Sequence, residues 1–133
     1  MSLNAEEKQR EFLQQVKTQL ESVPIRNEAI EIEERDSGRI YLISVTLKYH
    51  GISRLLTRVL KAGRKKRYQL DGVSLALFKK IDGKRMIGDL LDGMMQEHKL
   101  TFVEARGLVL QYLHVMVAKG IVVVAGWNSI TVS

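Results

Sequence analysis

The chain has 133 residues, no cysteine, 45% apolar residues and a formal net charge of +6. This length predicts one domain with a modest core, and the absence of cysteine excludes disulfides, thiol catalysis and cysteine-based zinc sites. The sequence contains no signal-peptide pattern and no apolar run of about 18 residues, so a cytoplasmic protein without a membrane span is expected.

The positive charge is concentrated in one stretch that contains no Asp or Glu. Its cations are Lys48, Arg54, Arg58, Lys61, Arg64, Lys65, Lys66 and Arg67. The remainder of the chain carries slightly more acids than cations. Such a stretch attracts nucleic acid, anionic lipid or an acidic peptide, or simply forms a solvated surface.

The first predicted element is a helix within residues 1–23, ahead of a domain covering 24–133. Asn4 and Glu7 have the spacing of a capping box, and Pro24 limits continuation. A thin apolar stripe recurs at helical spacing: Phe12, Leu13, Val16 and Leu20. This stripe could pack on the domain or on a second copy of the chain.

Alternating apolar residues then predict a β-hairpin with strands at about 29–35 and 39–48, joined by a turn at Asp36-Ser37-Gly38. A short amphipathic helix is predicted over 52–60. It is followed by a short third strand at 65–70.

The next region is helical. Asp71 is positioned to cap a helix over 72–81, and Asp82-Gly83 interrupts the pattern before a second helix over 86–98. We expect five residues of the three predicted helices to be buried together in one core: Phe78, Leu90, Val109, Leu113 and Met116.

A third helix is predicted over 102–119, with Thr101 and Glu104 as its capping box and Gly120 as its stop. The remaining β-rich residues predict a C-terminal hairpin. The whole is an α+β fold: a winged-helix-like three-helix unit with a preceding hairpin and short strand, a C-terminal hairpin and an N-terminal helix.

The third helix has an apolar arc wider than one packing contact needs. At about 100° per residue, the face that is predicted to pack in the core carries Phe102, Ala105, Val109, Tyr112, Leu113 and Met116. A second row consists of Val103, Leu110 and Val117. This row predicts a groove, an interface or a face that another element covers. Together with the apolar stripe of the first helix, it also predicts a homodimer.

Arg106 lies between the rows, where its expected partner is Asp71, Asp82 or Glu104, or a carboxylate of a bound peptide.

Three segments of the chain resemble the PqqD family, which is named for pyrroloquinoline quinone biosynthesis. They are "PIRN" at 24–27, "YQLDGVSLALFKKIDGKR" at 68–85 and "FVEARGLVLQYLHVMVAKGIV" at 102–122. The sequence departs from the family at three positions: Phe78 replaces a common Trp, Ser74 replaces a small residue, and Met86 stands where a hydroxyl residue usually caps the second helix.

The resemblance implies a non-catalytic winged-helix-like domain that binds the leader segment of a ribosomally made precursor peptide. Such proteins present the leader to a modifying enzyme, often a radical S-adenosylmethionine enzyme. The leader adds as a strand beside the third strand, in a groove with the third helix. Carried over by position, and extended to the second apolar row, the site comprises Lys65, Lys66, Arg67, Tyr68, Gln69, Leu70, Val103, Arg106 and Leu110.

Other function classes have weaker support. His50, His98 and His114 lack metal-ligand spacing, and no glycine motif forms a nucleotide loop, so no catalytic residue, metal or cofactor is expected. A winged-helix DNA-binding protein is the main alternative, but the third helix carries only Arg106 and Lys119 as cations, which makes nucleic acid a less favoured partner. The least favoured function is that of a peripheral membrane protein or oligomeric scaffold that uses the basic amphipathic segment 52–61 as its contact.

Overall fold

The computed structural model describes residues 4–46 and 65–127, which form a mixed helical and sheet structure. The expected α+β class is therefore confirmed. The elements in chain order are α1 (Ala5–Glu21), β1 (Ile25–Arg26), β2 (Glu31–Arg35), a 3₁₀ turn (Asp36–Gly38), β3 (Ile40–Thr46), β4 (Lys65–Asp71), α2 (Gly72–Lys80), α3 (Ile87–His98), α4 (Phe102–Ala118) and β5 (Val122–Val123). The helix predicted over 52–60 and the last strand of the C-terminal hairpin lie outside the described residues. No helix in the described ranges is long and apolar enough to cross a lipid bilayer.

The three longer strands form an antiparallel sheet in the order β2-β3-β4. The hairpin register pairs Arg35 with Ile40 across the predicted turn at Asp36–Gly38. Strand β4 pairs along the other side of β3 and continues directly into α2. The sheet is therefore joined to the helical unit without a linker.

A second, two-stranded sheet pairs β5 with β1, which sequence periodicity did not predict. Ile25 lies opposite Val123, and Arg26 lies opposite Val122. The Asn27 side chain donates from Nδ2 to the Gly120 carbonyl at 2.9 Å, while its backbone N–H donates to Ile121. The "PIRN" segment thus holds the chain that leaves α4.

The helix boundaries follow from local hydrogen bonds. Thr101 and Glu104 form the predicted capping box of α4, each side chain bonded to the other residue's N–H at 3.2 Å. The start of α3 had no predicted cap. There Asp89 accepts the Met86 N–H at 2.9 Å, three residues before it, so half of a capping box is present although Met86 has no hydroxyl to accept the Asp89 N–H.

The helices and the inner face of the larger sheet enclose one apolar core. The predicted core residues are confirmed, since Phe78, Leu90, Val109 and Leu113 are fully buried and Met116 is 1% exposed. One other prediction for α4 was wrong, since Phe102, assigned to the core face, is 45% exposed where it begins the helix beside the α1–α3 groove. In the second apolar row, Val117 is buried because the chain turns at Gly120 and lays β5 against α4, so another element covers the row at this position.

Helix α1 lies on the outside of the domain and has no fully buried residue. Its predicted cap is present, since Asn4 accepts the Glu7 N–H at 2.8 Å. Its attachment is concentrated near its C-terminal end. There the Ser22 carbonyl accepts the Ile87 N–H at 2.8 Å, so the end of α1 satisfies a free donor at the start of α3.

Candidate functional site

Strand β4 lies at the edge of the larger sheet. Its seven residues pair with β3 from Lys65, opposite Thr46, to Asp71, opposite Ile40. Within residues 4–46 and 65–127, no strand pairs with its other side. Alternate backbone N–H and C=O groups of β4 are therefore directed away from β3, which is the arrangement that accepts an additional strand.

The side chains of β4 alternate between the two faces of the sheet. Leu70 is buried and Tyr68 is partly buried, whereas Arg67 and Gln69 are exposed. On the outer face, Lys65 reaches across the sheet to Glu31 of β2, with Nζ 3.4 Å from Oε1. The inner face of β4 is thus directed towards the helices and the outer face towards solvent.

The C-terminal end of α4 lies beside the inner face of β4. The Lys119 Nζ is 4.8 Å from the centroid of the Tyr68 ring, within cation–π distance. Helical periodicity of about 100° per residue places Leu108, Tyr112 and Val115 on the same flank of α4 as Lys119. Val115 is 42% exposed, and the other two are partly buried. This flank of α4 and the inner face of β4, which meet at the Lys119–Tyr68 contact, are together called the groove.

Three predicted site residues lie on the other side of α4. Arg106 donates from Nη2 to the Gln19 side-chain oxygen of α1 at 3.0 Å. The same periodicity gives the angle around the helix axis between each of these residues and Lys119. This angle is at least about 140° for Val103, Arg106 and Leu110. The structure therefore brings the predicted strand residues 65–70 to an open sheet edge but does not bring these three helix residues beside them.

The partner predicted for Arg106 was wrong. Asp71, Asp82 and Glu104 are engaged elsewhere, and the acceptor is Gln19, 87 positions away in sequence. The Arg106 Nε is buried with no partner among the described residues. The arginine therefore joins α4 to α1.

Sequence reasoning missed the groove flank of Leu108, Tyr112, Val115 and Lys119. The signal was present, because these residues recur at i, i+4, i+7 and i+11, one stripe of a helix. Tyr112 was assigned to the core, and Lys119 was treated only as a terminal cation. Choosing between the two flanks of α4 required the position of β4.

A stacked cluster fixes the "PIRN" segment to the first helix of the three-helix unit. The Arg26 guanidinium lies 4.2 Å from the Phe78 ring centroid and donates from Nη2 to the Phe78 carbonyl at 2.9 Å. Tyr41 packs edge-on against Phe78, and Lys79 lies over the Tyr41 ring. Burial, followed by the hydrogen bond to Glu34, raises the pKa of Tyr41. This cluster gives Arg26 a structural role.

The described part of the chain contains no group of three or more His, Asp or Glu residues arranged to hold a metal ion. No carboxylate or histidine is found in the groove flank itself, which presents apolar and ammonium groups. The chemistry available there is therefore main-chain hydrogen bonding, apolar contact and attraction of negative charge.

Comparisons with protein-family models, curated proteins and solved structures gave no significant match to this chain.

Proposed function

We propose that the chain is a non-catalytic protein that binds the leader segment of a ribosomally made precursor peptide at β4. It then presents this peptide to a modifying enzyme, such as a radical S-adenosylmethionine enzyme, in the manner of the PqqD family that its sequence resembles. The observation that carries the proposal is the open edge of β4, with Lys119 at the end of the apolar flank of α4 lying over Tyr68 of this strand.

The physical basis is strand addition. An extended peptide pairing with β4 satisfies the outward N–H and C=O groups of the strand, which gives affinity with little dependence on sequence. Every second peptide side chain then points towards Tyr112 and Val115, which supply apolar contacts for selectivity. The predicted strand residues Lys65 to Leu70 keep their role in this proposal, whereas the helix contribution moves to the opposite flank of α4.

DNA binding is the competing function, and α4 carries few side chains of the kind that read DNA bases. Exposed positions along the middle of α4 carry Gly107, Gln111, His114 and Val115 rather than a set of Arg and Asn side chains. A helix that reads bases in the major groove needs such donors and acceptors. The cations of β4 instead lie on a sheet edge, where they would attract an incoming acidic chain.

Selection of short random peptides displayed on phage against the full chain tests the proposal. Enriched peptides are synthesised with N-methyl groups on alternate residues, which removes the donors of one edge of the peptide only. If the peptide pairs as a strand, one N-methylated set loses binding and the other retains it. Equal loss in both sets, or enrichment of no peptide, contradicts the proposal. Sequence-selective binding of duplex DNA at physiological salt would favour the alternative class.

Presentation to an enzyme needs a separate measurement. A peptide-modifying enzyme and precursor encoded near the gene of this chain are assayed with and without the purified chain. Faster modification in its presence, lost when the leader is N-methylated on the strand-pairing set, is the expected result. An unchanged rate would restrict the function to peptide binding.

A further inference from the structure

Two ammonium groups lie at one end of the groove between β4 and α4. Lys119 lies over the Tyr68 ring, as described above. Lys66 is opposite Val45, which is 3% exposed, and Tyr68 is opposite the fully buried Ile43. Directly paired residues of an antiparallel ladder share a face, so Lys66 emerges on the same face as Tyr68. Residues two apart on a strand are separated by about 7 Å, so Lys66 starts about 7 Å along this face from Tyr68, the residue that Lys119 contacts.

These two charges have no carboxylate partner among the described residues. Neither Lys66 nor Lys119 forms an ion pair there, whereas neighbouring Lys65 is paired with Glu31. Residues 1–3, 47–64 and 128–133 contain no Asp or Glu, so no acidic side chain in those ranges neutralises them. Residues 47–64 instead add further cations. The described residues therefore place no carboxylate within ion-pair distance of either ammonium group.

We propose that the peptide bound at this edge carries an Asp or Glu side chain held between Lys66 and Lys119, with an apolar side chain at the next inward position. This assignment rests on the proposed function. A strand paired with β4 alternates its side chains with period two, so an inward residue near Tyr68 meets the two ammonium groups. The following inward residue moves along the groove to the Tyr112 and Val115 surface. The ligand class is an extended acidic–apolar peptide segment.

The test compares three forms of the full chain in the same phage selection. They are the wild type, the charge-reversed double variant Lys66→Glu with Lys119→Glu, and the control Lys8→Glu with Lys84→Glu. The control changes net charge equally at two exposed positions that lie outside the groove. Acidic residues should be enriched at one peptide position by the wild type and the control, and Lys or Arg should replace them in the peptides that the double variant selects. The acidic wild-type peptide should bind the double variant at least about tenfold more weakly.

The possible results separate this inference from the proposed function. If N-methylation shows strand pairing but all three forms select the same peptides without charge preference, the acidic assignment is overturned and the peptide-binding function stands. If the control changes peptide selection as much as the double variant does, the net charge of the protein rather than the two lysines attracts acidic peptides, and the assignment is again overturned. If no form enriches a strand-pairing peptide, both the function and the assignment fail.

Discussion

The Arg106 guanidinium donates from Nη2 to the Gln19 side-chain oxygen at 3.0 Å, and this bond joins α4 to the last turn of α1. Gln19→Ala removes the acceptor and leaves a partly buried cation with one more unpaired donor. We expect the free energy of unfolding to fall by about 1–2 kcal/mol in urea titrations. Gln15→Ala, an exposed position of α1, is the control and should change stability by less than about 0.5 kcal/mol.

The pair can also be replaced as a unit. Gln19→Leu with Arg106→Met removes both polar partners, so it should be more stable than Gln19→Ala alone. Peptide binding should survive this double change, because Arg106 lies on the flank of α4 away from β4. Loss of binding in a folded double variant would restore Arg106 to the site predicted from sequence.

Two valines of α4 distinguish the flanks of this helix. Val115 is 42% exposed on the flank that ends at Lys119, and Val103 is 78% exposed on the opposite flank. Val115→Asp should weaken binding of a selected peptide by about tenfold, since a buried anchor typically contributes more than about 1 kcal/mol. Val103→Asp should have no effect on this affinity, measured by fluorescence anisotropy. The reverse ranking would support the groove of Val103, Arg106 and Leu110.

Homodimer formation is still a prediction, but the burial of individual residues limits which of them can form the dimer interface. Val117 is buried within the domain, so it cannot serve as an exposed contact, whereas Phe12 and Leu13 are 56% and 58% exposed on α1. Phe12→Asp with Leu13→Asp should convert the dimer into a 15.2 kDa monomer in sedimentation experiments. Gln9→Asp on the same helix is the control. A monomeric wild type at high concentration would reject the prediction.

The turn between α2 and α3 should make stability depend on pH. The Asp82 carboxylate accepts the backbone N–H groups of Arg85 and Lys84, and these bonds hold its pKa below 3.8, its ordinary value. A lowered pKa in the folded state stabilises the fold above the ordinary pKa, and this contribution is lost as the pH falls through the lowered value. Asp82→Asn should therefore be less stable than wild type near neutral pH, and the difference should close in acid. A difference independent of pH would contradict this assignment.

Much of the helical layout was predictable from the sequence because it depends on contacts between near neighbours. The Asn4–Glu7 and Thr101–Glu104 caps are bonds between residues three apart, and Gly120 stops α4 with a φ of +77°. The alternation in the β2–β3 hairpin is equally local. A short strand at 65–70 was also predicted, but its place as the paired edge was taken from the family resemblance, and only the sheet order β2-β3-β4 shows that its outer side is open.

The arrangement around α4 was decided only by tertiary structure. Its sequence shows a wide apolar arc but gives no indication of which neighbour covers each part. Gln19 covers Arg106 from 87 positions away, and β5 packs on the helix because it pairs with the distant "PIRN" segment. The flank that carries Tyr112 and Val115 ends at Lys119, which lies over Tyr68 of β4. Helical periodicity determines which residues share a face, whereas long-range packing of α1, β1 and β4 determines what each face meets.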